Sequence, residues 1–166
     1  MREKAFVAGV GMAPFCKPGA SDPYDVMAAT AVRKALDNAG LGYEAVEQAI
    51  AGYVYGDSTS GQRALYLVGM TGVPIVNVNN NCSTGSTALF LARQLVESGA
   101  VDCVLALGFE QMQPGALSGQ WSDRPSPFSR FDELCDEIAP YDVPIALRYF
   151  GGAGKEYMER YGVKPD

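Results

Sequence analysis

Residues 74–89, which read PIVNVNNNCSTGSTAL, decide the fold of this chain. The apolar run over residues 74–78 is typical of a buried strand, and asparagines lead from it directly into a predicted helix over residues 82–98. That helix has one apolar face, which consists of Ala88, Leu91, Ala92 and Leu95. A strand that passes straight into a helix is the unit from which α/β domains are built.

The same alternation continues in both directions along the chain. Short apolar runs predict further strands over residues 5–10, 49–55 and 101–107, and a short helix is predicted over residues 63–68. The strands are continuously apolar instead of alternating with polar residues, which is typical of strands buried on both faces. We therefore expect an α/β fold with a mixed, mostly parallel sheet covered by helices.

One helix is particularly well marked. Ser21 or Asp22 can cap its N-terminus, Pro23 suits its first turn, and Gly40 lies just beyond its predicted end. Its expected apolar face consists of Val26, Ala29, Val32, Ala35 and Leu36.

The character of the sequence changes after Gly108. Residues 113–140 are rich in proline and acidic residues and contain Trp121, the only tryptophan. A segment of this length without helical or strand periodicity indicates a functional loop or an inserted subdomain. A helical pattern returns over residues 143–161 and is expected to break at Gly151 and Gly152. We therefore predict a core domain over residues 1–112 and a second, incomplete domain over residues 113–166.

Composition excludes several functions. The length of 166 residues suits about one domain, and the net charge of −6 argues against nucleic acid as a partner. The N-terminal apolar run is too short for a signal segment or a membrane span, so a cytoplasmic protein is expected. The four cysteines have no Cys-x-x-Cys spacing and the chain contains no histidine, which predicts free thiols and no metal site. Without histidine, the commonest acid–base catalyst is missing from the chain.

Cys82 is the candidate nucleophile. At a helix N-terminus, unpaired amides and the positive end of the helix dipole favour thiolate over thiol, which suits acyl transfer through a thioester. Asn81, Ser83 and Gly85 are expected to support the turn that carries the thiol. The alternative is that Cys82 is an ordinary core cysteine, since buried free cysteines are common.

Two other short motifs resemble known functional motifs but lack essential residues. Gly9 and Gly11 follow a predicted strand like the start of a dinucleotide-binding fingerprint, but Pro14 stands where the third glycine belongs. Ser58 follows Gly56 in a turn that superficially resembles an esterase motif, but no histidine exists to activate it. Structural turns explain both.

Longer motifs carry a resemblance to a known family. Residues 79–89 (NNNCSTGSTAL), 53–64 (YVYGDSTSGQRA), 105–112 (LALGFEQM) and 154–162 (GKEYMERYG) resemble the N-terminal half of the sterol-carrier-protein-type (lipid-transfer-protein) thiolases in the thiolase superfamily. The resemblance implies the N-terminal half of a thiolase-like fold plus the start of its loop subdomain.

The resemblance also implies an activity. Cys82 would carry the acyl group of a 3-oxoacyl-CoA, in cleavage or condensation, with coenzyme A as cosubstrate and no covalently bound cofactor. A homodimer or higher homo-oligomer is implied, with residues 56–64 and 77–81 as the expected dimer contact. Lipid or sterol side-chain metabolism is the implied setting.

The family's histidines and second catalytic cysteine lie in its C-terminal half. The absence of histidine from this chain therefore leads us to expect the N-terminal portion of a longer enzyme, inactive alone. Two alternatives stay open: a non-catalytic thiolase-like binding or assembly protein, and a subunit of a thiolase-like steroid-CoA lyase. Cys82 weighs against the lyase, because those relatives typically lack the nucleophilic cysteine.

Overall fold

The computed structural model describes residues 4–114, 121–138 and 143–165. The chain divides into two compact units, Met1–Gln113 and Pro114–Asp166, and each is described by itself. The predicted domain division at residue 112 stays a prediction. Within the described ranges, no helix is long and apolar enough to cross a membrane.

The first unit alternates strands and helices, as the sequence predicts. Its elements are helix α1 (Tyr24–Ala39), a short 3₁₀ turn (Tyr43–Ala45), strand β1 (Gln48–Gly52), helix α2 (Ser60–Tyr66), strand β2 (Ile75–Val78), helix α3 (Thr84–Glu97) and strand β3 (Val104–Gly108). The three strands of the described residues form one parallel sheet in the order β2-β1-β3. The α/β prediction is confirmed.

Helices cover both faces of the central strand β1. On one face, Ala49 packs in a cluster with α1 and α2, in which Val32 and Leu65 are almost fully buried. On the other face, Ile50 packs against Ala88 and Ala92 of α3. Because side chains alternate along a strand, the neighbouring residues Ala49 and Ile50 point to opposite faces, and the helices on each face bury them.

The predicted buried strand over residues 5–10 is wrong. This segment joins no strand of the described sheet, and the side chains of Phe6 and Val7 are 84% and 73% exposed. Backbone groups at the end of this segment and just beyond it bond to α1 instead: the Val10 amide donates to Asn38 Oδ1 at 3.0 Å, and Lys34 Nζ donates to the Met12 carbonyl at 3.1 Å.

Glycines explain why the segment can lie so close to the helix. A Cβ atom at Gly9 would come within 2.4 Å of the Ala35 carbonyl oxygen, and one at Gly11 within 2.2 Å of the Ala31 carbonyl oxygen. Only residues without side chains allow this approach. Gly9, within the apolar run of residues 5–10, therefore allows the backbone to contact α1.

Helix α1 differs from its prediction at one end. Gly40 adopts a left-handed conformation with φ 66° and ends the helix as expected. At the start, Pro23 is the N-cap and no side chain caps the helix, so neither Ser21 nor Asp22 has the predicted role. Of the predicted apolar face, Ala29 and Val32 are buried, whereas Val26 is 41% exposed.

The second unit contains helix α4 (Ser129–Ile138) and helix α5 (Ile145–Tyr161). The predicted break at Gly151 and Gly152 is wrong, because α5 continues through both residues. Helix α4 also falls within the segment predicted to be a loop, whose residues 115–120, 139 and 140 lie outside the described part of the chain.

Polar contacts join these two helices. The Tyr149 hydroxyl donates to Asp132 Oδ1 at 3.0 Å, and Arg148 pairs with Asp136 at 2.8 Å. Partial burial and the neighbouring Asp132 carboxylate raise the pKa of Tyr149 to about 12.

The contact between β1 and α3 leads to a first prediction. A Cβ atom at Gly52 would lie 2.7 Å from Cγ2 of Thr84, the first residue of α3, whose side chain is buried and hydrogen-bonded. We expect Gly52→Ala to lower the free energy of unfolding by about 1–3 kcal/mol, measured by urea denaturation.

Gly85→Ala is the matched control for this prediction. Gly85 lies in the first turn of α3, where an added Cβ would meet nothing within 4 Å. Alanine there should leave stability unchanged or raise it by up to ~1 kcal/mol, because alanine favours helix. Equal losses from both variants would contradict close packing at Gly52.

Candidate thiol site at the carboxyl edge of the sheet

The three parallel strands end at the same edge of the sheet, and Cys82 follows one of them. β2 ends at Val78, and residues 79–83 connect it to α3, which begins at Thr84. The helix therefore starts two residues later than predicted, and Cys82 lies just outside its N-terminus. In α/β sheets, ligands bind beyond the carboxyl ends of strands, so the thiol lies where such folds place their sites.

Hydrogen bonds on both sides fix the turn that carries the thiol. The buried Thr84 hydroxyl oxygen accepts from the Asn80 amide at 2.8 Å and donates to the Asn81 carbonyl at 2.6 Å. The Ser83 hydroxyl donates to the Asn80 carbonyl at 2.8 Å. The backbone before and after Cys82 is thus tied to the first residues of α3.

Asn81 has the backbone conformation that makes the turn possible. Its φ is 49°, in the left-handed region, which asparagine tolerates better than most residues. Its amide donates to Asn79 Oδ1 at 3.0 Å, and the neighbouring Asn80 Nδ2 donates to Thr87 Oγ1 at 2.9 Å. The asparagine run thus supplies both the tight backbone and the side chains that hold it.

The predicted site residues lie together in this turn. Asn81 and Ser83 flank Cys82 and take part in the hydrogen bonds of the turn, whereas Gly85 is the second residue of α3. A Cβ atom at Gly108, at the end of β3, would lie 3.6 Å from the Gly85 Cα, so the start of α3 rests close to that strand.

The thiol of Cys82 is exposed, and all four cysteines are free. Cys16 is also exposed, whereas Cys103 and Cys135 are half-buried. Cys82 is also absent from both core clusters of the first unit. Among the described residues, no cluster of three metal-binding side chains occurs.

Sequence reasoning gave no role to Glu110 and Tyr55, which meet at this edge. Glu110 follows β3, and its two carboxylate oxygens accept the backbone amides of Val54 at 2.9 Å and Tyr55 at 3.1 Å. Burial, then the Glu110 carboxylate and Cys82, raise the pKa of Tyr55. These residues occur in the motifs 53–64 and 105–112, but their contact joins positions 55 and 56 residues apart, which local patterns do not show.

Neighbours of Glu110 fix the same edge to α1. The Phe109 ring stacks between Tyr24 and Tyr53, with ring centroids 5.4 Å and 5.1 Å away, and Gln111 Oε1 accepts the Tyr24 amide at 2.9 Å. A cavity of about 190 Å³ lies at the ends of β1 and β2 and is lined by Tyr53, Val54, Gly56, Ser58, Asn77, Val78 and Asn79.

Comparison with known proteins shows the family to which the chain belongs. The family model described as "Thiolase, N-terminal domain" matches residues 6–126, which is most of the chain. The chain therefore belongs to the thiolase family. The predicted resemblance is confirmed.

The relatives carry more particular names. The chain is 53% identical over 169 residues to sterol carrier protein 2 of Gallus gallus, covering 100% of this chain and 31% of that protein. It is 43% identical over 169 residues to non-specific lipid-transfer protein-like 2 of Caenorhabditis elegans, covering 98% of this chain and 41% of that protein. The chain thus spans about a third of the length of these relatives.

A solved structure shares the fold. The 3-oxoacyl-[acyl-carrier-protein] synthase III of Aquifex aeolicus VF5 superposes with a TM-score of 0.51 at 25% sequence identity, covering 65% of this chain and 35% of that one.

Proposed function

We propose that this chain supplies the nucleophile of a thiolase-type acyltransferase, and that Cys82 is that nucleophile. The observation that carries the proposal is the position of an exposed thiol in a hydrogen-bonded turn at the carboxyl edge of a thiolase-family sheet. Nucleophilic cysteines need access to substrate and a fixed position, and this turn provides both.

The chemistry at Cys82 follows from the substrate class. The thiolate attacks the 3-oxo carbon of a 3-oxoacyl-CoA, and the bond between carbons 2 and 3 breaks. Carbon 2 takes a proton as acetyl-CoA, or propionyl-CoA, leaves. The thiol of coenzyme A then attacks the acyl thioester, releases the shortened acyl-CoA and returns Cys82 as a thiol. Condensation is the reverse sequence.

Coenzyme A is a cosubstrate in this scheme, and no covalently bound cofactor is needed. The chain has no histidine, which is the commonest general acid or base for such proton transfers. We therefore propose that the activity belongs to a longer protein and that the chain alone is inactive. The names of the relatives mention sterols and lipid transfer, and we propose lipid or sterol side-chain substrates for that protein.

The partner proposal concerns a second copy of the chain. We propose a homodimer or higher homo-oligomer in the cytoplasm, formed through residues 56–64 and 77–81. Strand β2 is an outer strand of the described sheet, so one of its edges pairs with no strand of that sheet, although its Ile75 carbonyl accepts from Gln62 Nε2 at 3.3 Å. Sedimentation velocity of the full-length protein tests this, and a monomer would overturn it.

Acylation is the direct test of the proposed function. Full-length protein is incubated with a 3-oxoacyl-CoA, quenched in acid and digested, and the mass of the Cys82 peptide is measured. A mass increase equal to the acyl group, absent at Cys16, supports the proposal. An unmodified Cys82 peptide in an enzyme that cleaves the substrate would refute it.

A second function is a lipid-binding role without catalysis, favoured by the lipid-transfer names of the relatives. It predicts binding of an acyl-CoA or sterol with no acyl-enzyme and no cleavage. A steroid-CoA lyase subunit is the third, and it predicts that cleavage persists without the Cys82 thiol.

A further inference from the structure

We infer that Thr84 is a positioning residue that ties the turn carrying Cys82 to the central strand of the sheet. Its methyl group lies against Gly52 at the end of β1, and its hydroxyl holds the backbone directly before Cys82. The inference deepens the proposed function and rests on it for the role of Cys82 as the nucleophile. The part that concerns the turn can be tested without an acyl substrate.

The Thr84 hydroxyl both accepts and donates a hydrogen bond in the turn. Its oxygen accepts from the Asn80 amide at 2.8 Å, and its proton is donated to the Asn81 carbonyl at 2.6 Å. That carbonyl belongs to the peptide bond that joins Asn81 to Cys82. The Thr84 amide donates to the same carbonyl at 3.1 Å. One residue therefore bonds to both residues that precede the thiol-bearing residue.

The sheet holds Thr84 from the other side. Thr84 is buried, and its Cγ2 atom would lie only 2.7 Å from a Cβ atom at Gly52. Gly52 is the last residue of β1, and its carbonyl accepts the Phe109 amide at 3.1 Å. Because glycine has no side chain, it leaves the space that the Thr84 methyl group occupies. The central strand thus sets where Thr84 lies, and Thr84 sets where the turn lies.

The position of Cys82 depends on this backbone. Its side chain is exposed, so its own packing contributes little to holding the thiol in place. The preceding Asn81 has a left-handed conformation with φ of 49°, which hydrogen bonds must maintain. A displacement of about 1 Å can cost a hundredfold in rate when a reacting group is misplaced. The hydroxyl that fixes the peptide before Cys82 is therefore expected to affect the rate of acyl transfer.

The first experiment compares Thr84→Val with Thr84→Ser. Valine keeps the methyl group and removes the hydroxyl, whereas serine keeps the hydroxyl and removes the methyl group that lies against Gly52. Hydrogen exchange of the Asn80 amide is measured by mass spectrometry with fragmentation to single residues. We expect exchange to be about tenfold faster in Thr84→Val, because the amide loses its acceptor, and close to the wild-type rate in Thr84→Ser.

Acyl transfer by the full-length protein gives the second measurement. A misplaced nucleophile costs rate more than binding, so we expect kcat to fall by about ten- to a hundredfold in Thr84→Val, with KM nearly unchanged. Thr84→Ser should recover most of kcat. Ser98→Ala is the matched control, because its hydroxyl donates to the Leu95 carbonyl at 2.9 Å at the other end of α3. Its loss should leave kcat and the exchange of the Asn80 amide unchanged.

Gly52→Ala tests the contact with the sheet separately. The added methyl group meets Thr84 Cγ2, so we expect faster exchange of the Asn80 amide and a lower kcat. Thr84→Ser removes the atom that the methyl group meets. The double variant with Gly52→Ala and Thr84→Ser should therefore regain part of both losses, whereas the effects of two independent changes would add.

Three results would overturn the inference. The first is unchanged exchange of the Asn80 amide in Thr84→Val. The second is an equal loss of kcat in Thr84→Val and Ser98→Ala, which would indicate a merely structural role. The third is a double variant whose losses add. If the wild-type protein transfers no acyl group, the proposed function fails, while hydrogen exchange still decides whether Thr84 holds the turn.

Discussion

Cys82→Ser in the full-length protein should lower kcat for cleavage of a 3-oxoacyl-CoA by about a thousandfold or more, because the substitution removes the covalent path. A serine hydroxyl is almost fully protonated at neutral pH and is a poor nucleophile without an activating base. The change exchanges sulfur for oxygen at an exposed position, so the fold should be unaffected.

Cys16→Ser is the control for this prediction. Cys16 is an exposed free thiol in the same unit and lies outside the turn that carries Cys82. Its substitution should leave kcat, KM and the unfolding transition unchanged. Rates are measured from the release of acetyl-CoA, and stability is measured by thermal unfolding. Full activity of Cys82→Ser would exclude the thiolase mechanism and favour the lyase alternative.

Leu65→Ala should lower the free energy of unfolding by about 2–5 kcal/mol, because it leaves a cavity where the first unit is most tightly packed. Leu65 lies in α2, is completely buried and belongs to the cluster that joins α1, α2 and the sheet. α2 directly follows residues 53–59, four of which line the cavity at the ends of β1 and β2, so loosening of this helix also disturbs that cavity.

Leu67→Ala provides the matched comparison. Leu67 is the same residue type two positions later and is 39% exposed, so its truncation should cost about 1 kcal/mol or less. Urea denaturation of both variants measures the difference. Equal losses would show that Leu65 is not at the centre of the core.

Much of the first unit could be predicted from local sequence. The strands β1, β2 and β3 and the helices between them follow from apolar runs and helical spacing, which depend on residues close in sequence. Gly40 ends α1 as predicted, because a left-handed residue at a helix end favours glycine. The turn around Cys82 could also be predicted, because an apolar run ends just before it and helical spacing begins just after it.

Other predictions failed where distant groups compete. The apolar run at residues 5–10 has the composition of a strand, but its backbone lies on α1 because Gly9 and Gly11 permit contact and Asn38 and Lys34 supply hydrogen bonds. Gly151 and Gly152 in α5 suggested a break, yet the helix continues through them, since glycines weaken a helix without necessarily ending it.

The sequence by itself determined the family, the alternation of strands and helices, and the position of the thiol between β2 and α3. These features depend on motifs and periodicities that are continuous along the chain. Only the tertiary structure decided that Cys82 is exposed and that Glu110 and Tyr55 lie at the same edge of the sheet. The physical reason is that the pairing of β1 with β3 brings together residues more than fifty positions apart, and hydrogen bonds over that separation leave no local pattern.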